Sequence, residues 1–292
     1  MASRTLLSPL AASVREVLSG RSDGQSDIAR AIARPPGAPG WFTPGDAIWT
    51  VHGSVATFVG GIRSLYLQAL HPRALAGVDQ HSTYRQDPFG RLQRTGAFIA
   101  ATTFGSAELA QGTVDAVRTM HTRVVGSTDD GQAYSAQDPD LLEWVHIALV
   151  DSMLSSYLHL GRDGAIDPDA YVADMARVGE SMGVVDPPRS RAELDARFAQ
   201  FRPSLRVDEL VRATHGFVTD APLPLGLRPG YRVLARAAWA LQPPWALEML
   251  GSNPRAATLD IAAADAALRI LRVALVASPA RVAGERRLAA AG

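Results

Sequence analysis

The chain has 292 residues, 47% of them hydrophobic, which is enough to bury the core of one large domain or two small ones. Twenty-nine basic and 29 acidic residues cancel to a formal charge of zero, without the basic excess of a dedicated nucleic-acid binder. Cysteine and lysine are both absent, so thiolate metal sites, iron–sulfur clusters, a Cys nucleophile, Schiff-base chemistry and a P-loop lysine are excluded, and every basic side chain is an arginine. The first segment, "MASRTLLSPLAASVREVLSG", does not read as a signal peptide, because Arg15 and Glu16 interrupt a short apolar run. Residues 1–40, closing on the breaker "RPPGAPG", read as a loosely attached arm. From there, residues 41–292 read as one all-α domain.

Helical periodicity recurs at 54–70, 91–103, 107–125, 139–160, 168–182, 190–200, 206–215, 229–239 and 256–277. Breakers separate these stretches at "TDDGQ", "DPPRS", "DAPLPLGLRPG" and "QPPW". Asp138-Pro139 and Asp167-Pro168 place an N-cap acceptor before a first-turn proline. Ser190 with Glu193 reads as a capping box. No period-2 strand can be committed, since the best candidate, "VVD" at 184–186, is too short. The longest apolar run, "ILRVALVASPARVAG", is broken by Arg272 and Pro279, so no membrane span is expected and the chain reads as cytoplasmic. The helix at 256–277 suits either covering the domain or pairing with a second copy, which leaves homo-oligomerisation open.

Chemistry is suggested first by "DPFGRLQRTGAF". Arg91, Arg94 and Thr95 stand at i, i+3 and i+4, on one helical face, and the following "IAATTF" leads toward a core. An arginine enters a core only against something anionic. The bland explanation is that Arg91 pairs with Asp87 or another acid and ties two helices together. Among the seven histidines, Glu143 and His146 have the spacing of di-iron bundles, but no second Glu-x-x-His exists. Zincin, Walker and dinucleotide motifs are missing. His121, late in its helix, shares a face with Val114, Val117 and Val124 or Val125, which suits a neutral axial ligand to a haem iron. On the residues alone, a structural histidine and a surface-paired arginine remain the simpler reading.

The strings "LYLQALHPRALAGVDQHSTYRQDPFGRLQRT", "FGSAELAQGTVDAVRTMHTRVVG", "YSAQDPDLLEWVHIAL" and "MGVVDPPRSRAEL" resemble a family that contains the rubber oxygenases (latex clearing proteins) and the mycophenolate-pathway oxygenase MpaB. The resemblance implies an all-helical fold with a globin-like core around one haem b. The family's Arg-x-x-x-Thr element matches Arg91 and Thr95, and its proximal iron ligand matches His121. Arg94 stands where the bacterial rubber oxygenases carry a lysine that reaches the distal iron position. An arginine stays protonated and is a poor ligand. No carboxylate matches the family's general base before Asp79, which counts against rubber cleavage. His71 and His81 are expected to line the pocket, with His71 alternatively capping the helix that ends at Leu70. Trp144 and His146 are expected in the core, His146 hydrogen-bonded, and Asp79, Tyr84 and Arg85 near the cofactor. The function this implies is a haem-dependent oxygenase that acts on a small hydrophobic, isoprenoid-like substrate with dioxygen. The alternatives are a non-catalytic binder of haem or anionic lipid, and a haem-free enzyme using the same arginine-lined pocket.

Overall fold

A computed structural model describes residues 27–252, 257–275 and 278–290. The described residues form 14 α-helices and one small sheet. In order they are α1 (Asp27–Ile32), α2 (Ala47–Gly53), α3 (Thr57–Gln68), α4 (Pro72–His81), α5 (Pro88–Phe104), α6 (Ala107–His121), β1 (Val125–Ser127), β2 (Ala133–Ser135) and α7 (Pro139–Leu160). There follow α8 (Pro168–Met182), α9 (Arg191–Phe201) with a 3-10 turn at Arg202–Ser204, α10 (Glu209–Thr219), α11 (Arg228–Ala240), α12 (Pro244–Met249), α13 (Ala257–Leu275) and α14 (Pro279–Ala289). The all-α expectation holds.

The 22-residue helix α7 is the axis of the domain. It is apolar nearly all round, burying Leu141, Trp144, Ile147, Val150, Met153, Leu154, Tyr157 and Leu160. Such a helix belongs in the centre. Helix α3 lies against it, brought close by Gly60, where a Cβ would come within 2.8 Å of Met153 Sδ. Beside that contact, buried Arg63 pairs with buried Asp151 at 2.7 Å and donates to Ser152 Oγ and to the Leu241 carbonyl. One apolar cluster centres on Trp49, Phe104, Trp144 and Tyr171. A second, built largely of alanines, joins α3 to α11 and α13.

The caps follow local chemistry. Asp87, Ser106, Asp167, Ser190 and Asp208 each accept from a first-turn amide of the helix that follows. Two expectations are corrected. Asp138 does not cap α7; it turns back to accept from the Ser135 amide and faces Arg73. Of the capping box, the bond from the Glu193 amide to Ser190 Oγ forms as expected, whereas the Glu193 carboxylate accepts from the Arg189 amide rather than from that of Ser190. The sheet was not foreseen. Its strands pair antiparallel, Val125 with Ser135 and Ser127 with Ala133, and three residues are too few to display a period of two. Residues 27–40 do not form a loose arm: Ile32 is fully buried, and Arg287 of α14 donates to the carbonyls of Ala38, Phe104 and Gly105. The preceding part of the expected arm lies outside the described residues. No helix among the described residues is long and apolar enough to cross a membrane.

Four histidines, His52, His71, His146 and His215, are buried inside the domain, and burial lowers the pKa of each. His52 bonds Thr103 Oγ1 at 2.7 Å and the Tyr171 hydroxyl at 3.0 Å, joining α2, α5 and α8. Burial pushes it down from 6.5 to about 3, and lowers His71 and His146 to about 4. The unfolded chain therefore binds protons first as the pH falls. Stability should be constant above neutrality and fall as pH drops from 6.5 toward 4, by up to about 1.4 kcal/mol per pH unit for each histidine. Urea denaturation at about pH 7.5 and about pH 5 measures this, and an unchanged midpoint would contradict it. Replacing Asp151 with alanine strands the Arg63 charge and should cost about 3–5 kcal/mol in the same assay.

Candidate functional site

Only Gly105 and Ser106 separate α5 from α6, and the two helices pack on each other, so they run antiparallel. Arg91, in the first turn of α5, and His121, the last residue of α6, consequently share one end of the domain. Helix α4 finishes at the same end. His81 donates from Nε2 to the Val125 carbonyl of β1 at 3.1 Å, and Gln80 bonds both Ser127 O and the Tyr134 hydroxyl. The chain then folds back through 82–87 to start α5, with Asp87 capping Gly90.

Arg91 is half-buried and has no carboxylate partner among the described residues. Its Nη1 donates to Ser82 Oγ at 2.8 Å, and its Cζ sits 5.8 Å from the Tyr84 ring centroid. Burial lowers its affinity for the proton, the neighbouring Tyr84 opposes this, and Arg94 adds to it. The bland alternative, an Arg91–Asp87 pair, does not form; exposed Arg94 reaches Asp87 instead, at 3.5 Å. Thr95 lies one turn further along α5 and faces solvent, as do Leu92 and Gly96. The core is reached only in the second half of α5, from Ala100 to Phe104. Tyr84 is itself anchored. Its hydroxyl donates to Asp79 and accepts from Arg85, and its ring stands edge-on to Phe217 of α10. Asp79 is thus held by Tyr84 and Arg85.

His121 is half-buried, and burial alone lowers its pKa, so the imidazole is neutral at pH 7. Neither ring nitrogen has a hydrogen-bond partner among the described residues. It borders a cavity of about 140 Å³ together with Arg118, Gln137, Leu142, Met182 and Gly183, where α6 meets α7 and α8. One turn deeper, His146 lies against Gly179, where a Cβ would come within 2.8 Å of its ring. His146 is in the core as expected, but its Nε2 is buried without the hydrogen bond that was expected.

The structure brings Arg91, Arg94, Thr95, His81 and His121 to one end and leaves His71 apart. His71 precedes α4, whose 10 residues span roughly 15 Å, and it packs among Trp144 and Phe201. It borders a separate cleft of about 420 Å³ with Arg73, Gln132, Ser204 and Arg206. Its lowered pKa leaves it uncharged, so it does not serve as a cationic cap for the preceding helix. Sequence reasoning missed Ser82: nine residues before Arg91, it shares no helical period with it, and only the fold-back joins them.

The donor set suits a haem. A neutral, unpartnered imidazole is an axial nitrogen donor, and a desolvated guanidinium without a carboxylate suits a propionate. Leu92, Met120 and Val125 are 46%, 55% and 54% exposed at this same end, leaving apolar surface available to a flat apolar group. The cavity beside His121 is smaller than the roughly 300–1,000 Å³ of cofactor pockets, and neither Arg91 nor Thr95 borders it.

The family described as ER-bound oxygenase mpaB/B'/Rubber oxygenase, catalytic domain, matches residues 49–273. An uncharacterized protein of Mycobacterium bovis and one of Mycobacterium tuberculosis are each 29% identical over 158 residues, or 52% of this chain. The match spans 60% of the length of these curated relatives. No solved structure matches the chain. With three-quarters of its length matched, including the whole segment from α3 to α11 that carries Arg91 and His121, the chain belongs to the mpaB/rubber oxygenase catalytic-domain family.

Proposed function

We propose that the protein is a haem b-dependent oxygenase that acts on a small hydrophobic, isoprenoid-like substrate with dioxygen. The observation that carries this reading is Arg91, a desolvated cation lacking a carboxylate, at the same end as the unpartnered neutral imidazole of His121. His121 would hold the iron. Arg91 would hold a propionate, with the Thr95 hydroxyl one turn away on the same helix. The haem, when bound, supplies the activation of dioxygen. The chain supplies ligation, orientation and exclusion of water, for which Leu92, Met120 and Val125 offer apolar surface. Arg94 is engaged with Asp87, and a guanidinium is a poor iron ligand, so no second iron ligand is assigned to it. Asp79 is occupied by Tyr84 and Arg85, so rubber-type base chemistry at this carboxylate is not part of the proposal.

The small volume beside His121 and the exposure of Thr95 favour a second reading, in which the same arginine receives the carboxylate of a lipid or substrate without haem. One experiment separates the two. Purified protein titrated with hemin should develop a strong Soret band, and His121→Ala should abolish it or shift it. Arg91→Ala should weaken hemin binding by roughly ten- to a hundredfold. No Soret band after reconstitution would overturn the haem reading. Oxygen uptake with alkene substrates then tests turnover.

A further inference from the structure

Arg91 has no carboxylate partner among the described residues, yet it is held in place. Two contacts fix its direction: the hydrogen bond to Ser82 Oγ at 2.8 Å and the Tyr84 ring at 5.8 Å. Both belong to the fold-back before α5, and neither neutralises the guanidinium. Tyr84 is only 6% exposed and is pinned at both ends. Its hydroxyl donates to Asp79 at 3.0 Å and accepts from Arg85 at 2.8 Å, while its ring meets Phe217 of α10, with centroids 5.3 Å apart. The ring is thereby braced against α10, more than a hundred residues further along the chain. An arginine held by a π-face and a hydroxyl keeps N–H groups free for an incoming anion, whereas a carboxylate partner would compete for them.

We propose that Tyr84 and Ser82 are positioning residues that aim Arg91 at a carboxylate of the bound ligand. Under the haem reading, on which this inference rests, that carboxylate is a propionate. Tyr84 acts through its ring, whose place is set by its burial and by the edge-on contact with Phe217. Ser82 acts through its hydroxyl, which holds Nη1 and leaves Nε and Nη2 without a side-chain partner among the described residues.

The test compares hemin with hemin dimethyl ester, whose propionates carry no charge, in Soret titrations of the full chain. The variants are Ser82→Ala, Tyr84→Leu and Tyr84→Phe, and circular dichroism confirms that each is folded. Ser82→Ala and Tyr84→Leu should each weaken hemin by roughly three- to tenfold and leave the dimethyl ester unchanged. Tyr84→Phe keeps the ring and should bind hemin within roughly twofold of the parent. Equal losses for hemin and its ester in the two weakened variants would mean general damage and overturn the inference. So would parent-like hemin binding by Ser82→Ala and Tyr84→Leu. If Tyr84→Leu does not fold, Ser82→Ala alone decides between these outcomes. Failure of the parent to take up either porphyrin would instead overturn the haem reading, and this inference with it.

Discussion

Arg63 and Asp151 meet at 2.7 Å between the two helices on which the rest of the domain is laid. Removing two charges from water is costly, and the pair persists because each of the other two nitrogens of Arg63 also makes a hydrogen bond. Nε reaches the Leu241 carbonyl and Nη1 the Ser152 hydroxyl. These bonds tie α3 to α7 and to the end of α11, and Gln242 adds a bond to the Arg63 carbonyl. Apolar contact along α7 tolerates sliding, whereas an ion pair with fixed geometry does not. The register of α3 therefore fixes where α4 starts, and with it the fold-back that delivers Arg91.

With no lysine in the chain, the domain handles its buried cations with arginine alone, in three different ways. Arg63 has a carboxylate. Arg287 has the carbonyls of Ala38, Phe104 and Gly105, which close the C-terminal end of α5 and fasten residues 27–40. Arg91, at the other end of α5, has only a hydroxyl and a π-face. The planar guanidinium permits all three, because its donors lie in a fork and its faces can stack. Of the three arginines, Arg91 alone is left, among the described residues, without compensating negative charge or a set of carbonyls.

The architecture was legible where a helix is long and periodic. The boundaries of α7 and α8 follow directly from Asp-Pro starts and from Gly161 and Gly183 at their ends. The hairpin at 125–135 was not legible, because three-residue strands carry no pattern and are held by partners from α4. Capping by Asp138 failed as an expectation because the turn before α7 and Arg73 compete for the same carboxylate. The packing of Ile32 was hidden as well, since one short amphipathic turn has no identity until α5 and α14 cover it.

At the candidate site, one-dimensional information selected the residue types. Arg91, Thr95 and His121 were distinguishable by spacing and by likeness to the family, because an arginine beside an apolar run and a histidine among valines each need a reason. Partners were not. Whether Asp87 serves Arg91 or Arg94 depends on a single helical turn, and the side chains favour Arg94. His71, within the same string as His81, is taken to another cleft by the length of α4. The longer helices, the family likeness and the identity of the charged and imidazole groups could be read from the chain alone, since these depend on local periodicity and chemical type, whereas short helices such as α2, α4 and α12 could not. Only the tertiary structure decided that Arg91 goes without a carboxylate, that Tyr84 is braced by Phe217, and that His71 stands apart, because each depends on atoms brought together from distant segments.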